Sequence, residues 1–280
     1  MPIELLEQHP YLEYEKKHMG KYTGLVIGSF PIYACSNILD ENLNVTQENN
    51  IQNKIRFRFF YGSNQSKFWD YVFKAFDNNN PITISNCIKL LEDNKIIITD
   101  ALYRTNRRAQ SSADEDLMIV EKSDNFMIEN ISLNYGVKDL INKNSGLKNL
   151  FFTATGLDGK SPFGWFRRVF EDNLIIEEVY QVAGRIWSFV CIMEERRFNC
   201  FMLPTPKTRG IHFTDNQRTL AYCNYLHSRD VDFYNEINNL PMVDRSPNQK
   251  HRIKEYRESF LIETYKQALV LNNSQFDGTI

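Results

Sequence analysis

The stretch Thr23-Gly24-Leu25-Val26-Ile27-Gly28-Ser29-Phe30-Pro31 decides the fold. Its first five residues are a short apolar run without polar alternation, the pattern of a strand buried on both faces of a parallel sheet. Its last four read as a turn, in which glycine permits close backbone approach and proline fixes the exit. Taken alone, 28–31 reads equally well as an ordinary strand-to-loop turn.

Three further runs of this kind follow, at 95–99, 149–153 and 198–203. Helical stretches separate them. Residues 67–76 carry Phe68, Tyr71, Val72, Phe73 and Phe76 at helical spacing, a second helix is expected over 85–92, and 163–170 reads as a third. Residues 185–193 read as an added strand. Strands alternating with helices predict an α/β protein, three layers α/β/α around a central four-stranded parallel sheet. The Asn-rich stretches 44–53 and 78–80 read as polar loops. Past Pro206 the apolar strands stop, and two helices are expected, 215–240 and 248–271, split by a turn near Pro241 and Pro247. The division is therefore an α/β domain over 1–213 and a helical C-terminal extension over 214–280, packed on the same domain.

With 280 residues, 42% of them hydrophobic and 13% aromatic, the chain can bury one large core. A formal charge of −2 argues against attachment to nucleic acid by bulk positive charge, so phosphate contacts must come from local clusters. Those clusters are Arg104, Arg107 and Arg108, then Arg167 and Arg168, then Lys207 and Arg209. The five cysteines are odd in number and far apart, with no CxxC pair or His-Cys spacing, so neither structural zinc nor an iron–sulfur cluster is expected. The first 20 residues lack an apolar run, and nowhere do 18 apolar residues follow one another, so the expectation is a cytoplasmic chain with no membrane attachment.

In a parallel α/β sheet, ligands bind outside the carboxyl ends of the strands. After the first run come Gly28, Ser29, Phe30 and Pro31; after the second, Asp100 to Arg104 and a polar loop with Arg107, Arg108, Ser111, Ser112 and Asp114. Hydroxyls beside guanidinium groups suit phosphate, although Asp114 reads equally as a helix N-cap. After the third come Thr155 and Gly156, and after the fourth Pro204, Thr205, Pro206 and Lys207. Ahead of the 67–76 helix lies a segment with Phe60, Tyr61, Asn64 and Ser66. Aromatics beside small and amide residues are what a base pocket requires, since a flipped base is stacked on rings and read on its edge. Phe68 and Trp69 read better as core.

In this order the segments resemble the uracil-DNA glycosylase superfamily, and within it the hypoxanthine-DNA glycosylase branch. The resemblance is carried by Gly28 to Pro31, by the Tyr-Gly to Phe-Trp segment from Tyr61 to Trp69, and by Asp100, Leu102, Arg108, Ser112 and Asp114. Phe152 with Thr153, and Leu203-Pro204-Thr205, complete it. It implies a uracil-DNA glycosylase-like fold that hydrolyses an N-glycosidic bond without metal or cofactor and leaves an abasic site. The implied partner is DNA, single- or double-stranded, carrying an altered base and bound by a monomer.

Under this resemblance Asn64 and Asp100 are the expected catalytic residues, and Gly28, Ser29, Phe30, Pro31, Phe60, Tyr61, Ser66 and Thr155 the base pocket. Arg104, Arg108, Ser112, Pro204, Thr205, Lys207, Arg209 and His212 would hold DNA, with Ile211, His212 or Phe213 as the wedge filling the vacated stack. Two positions depart from the pattern: Phe30 stands where many members place an aspartate or asparagine, and Ser66 where the hypoxanthine branch places an asparagine. Asn64, two residues earlier, is then the candidate to hold the water. The long stretch 36–56 would leave room for a bulky modified base, such as one in viral DNA. Two rival readings are an inactive nucleic-acid-binding relative, favoured by Phe30 and Ser66, and an unrelated small-molecule α/β hydrolase, disfavoured by the lack of a GxSxG elbow or glycine-rich phosphate loop.

Overall fold

The computed structural model describes residues 5–14, 22–40, 42–49, 51, 53–107, 120–122, 125–127, 132–154, 156–157, 159–171, 173–182, 185–204, 220–238 and 240–270. The deciding stretch forms β2 (Gly24–Gly28), buried at all five positions. It is flanked by β5 (Ile96–Asp100) and β10 (Asn149–Phe152), and β13 (Arg196–Met202) lies beyond β10. These four strands are parallel, in the order β5, β2, β10, β13.

The sheet does not stop at four strands. It has six, because β11 (Ile175–Val182) and β12 (Arg185–Met193) add antiparallel strands outside β13. The expected simple four-stranded parallel sheet is thus corrected to a mixed one. The 185–193 strand is where the pattern put it. Its partner β11 carries no apolar run, since Ile175 and Val179 face outward beside Glu177 and Glu178 on an edge strand.

A second sheet is unannounced by any apolar run. Its order is β4 (Val45–Glu48), β3 (Asn37–Leu39), β1 (Leu5–Gln8), β6 (Leu102–Arg107) and β9 (Ser132–Leu133), antiparallel throughout. Residues 44–53, expected to be only loop, thus contain β4, a strand exposed at every position. A short ribbon, β7 (Val120–Lys122) with β8 (Asn125–Met127), stands apart from both sheets. The two sheets share one continuous piece of chain: β5 ends at Asp100, and after Ala101 the chain runs on as β6 in the other sheet. Ala101 N–H donates to the Gly28 carbonyl at 2.9 Å and Leu102 N–H to the Ser29 carbonyl at 3.1 Å, so the joint lies against the end of β2.

Seven helices complete the described residues. They are α1 (Phe68–Ala75), α2 (Ile84–Asp93), α3 (Gly136–Lys143), α4 (Pro162–Val169), α5 (Leu220–Arg229), α6 (Val231–Asn238) and α7 (Pro247–Leu269). Their starts follow local chemistry. Thr83 caps α2 by accepting from Asn86 N–H, and Ser161 caps α4 with Pro162 at its first position. Ser246 and Gln249 form a reciprocal capping box ahead of α7. The C-terminal region holds three helices rather than two, because Asp230 ends α5 and accepts from Phe233 N–H to start α6. No helix among the described residues is long and apolar enough to cross a membrane.

The main hydrophobic core runs from β2, β5, β10 and β13 to Phe260, Leu261 and Tyr265 of α7, with a small second cluster at Ala34, Cys35 and Ile55. Helix α7 lies along α1, where Tyr265 meets Phe68 and Tyr71 at ring distances of 6.0 and 5.6 Å. The Tyr265 hydroxyl donates to the Pro204 carbonyl at 3.0 Å. The C-terminal helix therefore pins the chain at Pro204, just past the end of β13.

Candidate active site

The order of the parallel strands sets where a ligand can sit. The chain passes from β2 outward to β5, then returns to the other side of β2 as β10, so the crevice between the carboxyl ends of β2 and β10 is the topological switch point. A cleft of about 150 Å³ lies there, lined by Ser29, Phe30 and Pro31 after β2, Asp100 at the end of β5, and Thr153 and Ala154 after β10. By the same measure one water needs roughly 10–15 Å³, so the space takes a ring-sized group.

The opposite wall comes mainly from 59–66, held by α1, with Ile32, Cys35 and Pro162 at its margins. Trp69 donates its indole N–H to the Phe60 carbonyl at 2.7 Å, and Phe68 stacks on Tyr61 with centroids 4.4 Å apart. Both residues are fully buried, so the core reading of Phe68 and Trp69 holds, and their packing also fixes the two rings that face the cleft. Tyr61 itself has φ 55°, a left-handed conformation that costs a non-glycine residue about 1 kcal/mol or more. Gly62 next to it is obligatory, since a Cβ would stand 2.0 Å from the Phe57 carbonyl oxygen.

At the centre two side-chain oxygens stand over Gly28. A Cβ on Gly28 would lie 2.0 Å from Asp100 Oδ1 and 2.2 Å from the Tyr61 hydroxyl, so only glycine lets these groups meet over the end of β2. Tyr61 Oη lies 2.6 Å from Thr153 Oγ1, which reaches back toward the Ile27 carbonyl at 3.4 Å. Asp100 Oδ2 is 2.8 Å from Nε2 of His9, in a buried ion-pair geometry with the imidazole wholly enclosed and the carboxylate nearly so. Tyr11 N–H donates to Nδ1 of the same ring at 3.1 Å.

Cys35 also reaches the cleft wall. Burial pushes its thiol up to about 11, against smaller opposing effects of the Tyr11 hydrogen bond and the Arg58 charge. It is a thiol at neutral pH and a poor nucleophile. Among the described residues no group of three His, Cys, Asp or Glu side chains could hold a metal ion.

Of the residues expected from sequence, Ser29, Phe30, Pro31, Phe60, Tyr61, Ser66 and Asp100 share this one cleft, with Gly28 directly beneath it. Asn64 does not join them. It is exposed, its amide donating to the Asn53 carbonyl at 3.2 Å, because its backbone N–H is tied to Lys54 and turns the side chain away from the cleft wall. Arg104 lies on β6 with its guanidinium over the Tyr103 ring at 4.9 Å, and it does not line the cleft. Pro204 is buried against α7. Thr155, Arg108, Ser112, Thr205, Lys207, Arg209 and His212 lie outside the described residues, as do Asp114, Ile211 and Phe213. No described residue of 36–56 lines the cleft, so the idea that this stretch widens the pocket is corrected: it is spent on β3 and β4.

His9 was missed, and no sequence signal marks it. A lone histidine before a proline in a polar segment has no motif, and it reaches Asp100 only because β1 pairs with β6 in the second sheet, where His9 N–H donates to the Tyr103 carbonyl at 2.9 Å. Comparison of the chain with protein-family models, curated proteins and solved structures gave no match in any of the three.

Proposed function

We propose that this chain is a DNA glycosylase built on a uracil-DNA glycosylase-like α/β/α fold, hydrolysing the N-glycosidic bond of a base flipped into the cleft. One observation carries the reading: a ring-sized cleft at the switch point joins Phe30, Phe60 and Tyr61 to a single buried carboxylate, Asp100, and draws on four of the sequence segments that resemble the superfamily. A flipped base stacks on the rings and is read on its edge by the hydroxyls of Ser29 and Ser66. The C1′–N bond breaks with its electron pair leaving on the base, and positive charge develops on the sugar. The Asp100 carboxylate stabilises that charge and accepts a proton from the water that attacks C1′. The proton ends on the departing base. The role of orienting water passes from Asn64 to Asp100 on position alone.

The test is a screen of DNA carrying deaminated, alkylated or hypermodified bases, with alkali to cut at abasic sites. Wild type is expected to incise at least one. Asp100→Asn should bind that DNA as well as wild type and lose about 10²- to 10⁴-fold in single-turnover rate. Incision by Asp100→Asn at the wild-type rate would sink the assignment. Binding without excision on every substrate would favour the inactive relative, to which the exposed position of Asn64 also points.

A further inference from the structure

We infer that His9 is the positioning residue of this site, acting on the reacting atoms through Asp100, a role that rests on the glycosylase reading. Tyr11 N–H donates to His9 Nδ1 at 3.1 Å, so that nitrogen is an acceptor and the ring proton belongs on Nε2. His9 Nε2–H then donates to Asp100 Oδ2 at 2.8 Å. One carboxylate oxygen is thereby occupied, and the other, Oδ1, is left beside Gly28 and Tyr61 at the cleft.

Nothing else requires this bond for the chain to hold its course. The Asp100 backbone is fixed already, by its register with Gly28 in β5 and by Asn134, whose amide donates to the Asp100 carbonyl at 2.9 Å. The side-chain bond adds orientation. Aromatic rings in turn fix the imidazole plane: Phe60 at 5.2 Å, Tyr11 at 5.7 Å and Phe30 at 5.8 Å. Phe30 and Phe60 also wall the cleft, so the rings expected to stack a base press the imidazole against the carboxylate from behind. The arrangement inverts the usual hydrolase order, in which a buried carboxylate orients an imidazole that reacts. Here the imidazole is the buried member and the carboxylate faces the ligand.

Two amide substitutions separate position from polarity. The Nε2 of a glutamine can occupy the place of the imidazole Nε2, whereas the shorter asparagine presents its amide nearer the place of Nδ1. The experiment measures single-turnover excision and substrate affinity on single-stranded and duplex oligonucleotides carrying one deoxyinosine or one deoxyuridine, with the side-chain nitrogen spectrum of His9 recorded on the unmodified chain. The expected result is an Nε2–H tautomer, a fall of about 10²-fold in turnover for His9→Asn with affinity unchanged, and recovery of most of that loss in His9→Gln. Wild-type turnover in His9→Asn, or equal losses in both folded variants, overturns the role. An Nδ1–H tautomer overturns the hydrogen bond whatever the activity. A wild type inert on all four probes, its tautomer being as expected, counts against the glycosylase reading, and the positioning role falls with it.

Discussion

At the residue scale, Gly28 is the most constrained position in the site. Its missing Cβ is the space in which Asp100 Oδ1 and the Tyr61 hydroxyl meet, so Gly28→Ala must push one of them away. Overpacking of this kind costs about 1–3 kcal/mol, and the displaced group belongs to the proposed site. Denaturant unfolding should register that loss, and excision should fall at least as far as in His9→Asn. Gly28 and Asp100 were legible in the sequence because each follows an apolar run, where ligand sites in α/β sheets gather, and Tyr61 because it is an aromatic beside small and amide residues ahead of a helix. Asn64 illustrates the limit of such reasoning. Two residues of displacement along a loop separate a wall position from a solvent position, and spacing says nothing of which way a loop side chain turns.

At the element scale, the strands that could be read were those buried on both faces, since burial forces a continuous apolar run: β2, β5, β10 and β13 each begin or end within two residues of the expected bounds. The second sheet was not legible for the converse reason. Val45–Glu48 is exposed throughout, and Glu7 of β1 is a buried carboxylate satisfied by the Ser36 hydroxyl, which no hydropathy pattern can distinguish from a surface charge. Yet this sheet delivers His9. Helix α7 makes a separate prediction. Two of its ion pairs to the rest of the molecule, Lys74 with Glu258 and Lys266 with Asp77, are largely solvent-exposed and should contribute little. Its capping box should matter more. Ser246→Ala is expected to cost about 0.5–2 kcal/mol by chemical denaturation, whereas Lys266→Ala should stay within about 0.5 kcal/mol of wild type.

At the scale of the whole molecule, the core is unusually rich in buried phenols. Burial pushes the phenol pKa of Tyr14, Tyr222 and Tyr265 above the ordinary tyrosine range, and that of Tyr71 up to about 12. Below pH 10 these groups are neutral whether the chain is folded or not, and they impose no pH dependence. Above pH 10 the unfolded chain releases protons that the folded chain retains, so stability must fall as pH rises. Thermal melts followed by circular dichroism should therefore hold steady from pH 8 to about 10 and drop steeply beyond it. A melting temperature unchanged between pH 10 and about pH 12 would contradict the enclosed core.

The joint at Ala101 also bears on the order in which the protein comes together. The bond from His9 to Asp100 spans 91 residues of chain, and that from Tyr61 to Thr153 spans 92. Closing a loop of that length carries an entropy cost of roughly 4 kcal/mol, more than the roughly 1.5–3 kcal/mol that one hydrogen bond to a charged group returns. Neither contact can therefore nucleate folding: that of His9 must wait until the two sheets have docked, and that of Tyr61 until β10 has paired with β2. In stopped-flow kinetics Asp100→Asn should leave the refolding limb of the chevron where it is and accelerate unfolding, a φ-value near zero. The pocket is then a late product of folding that no excised fragment of the chain can reproduce.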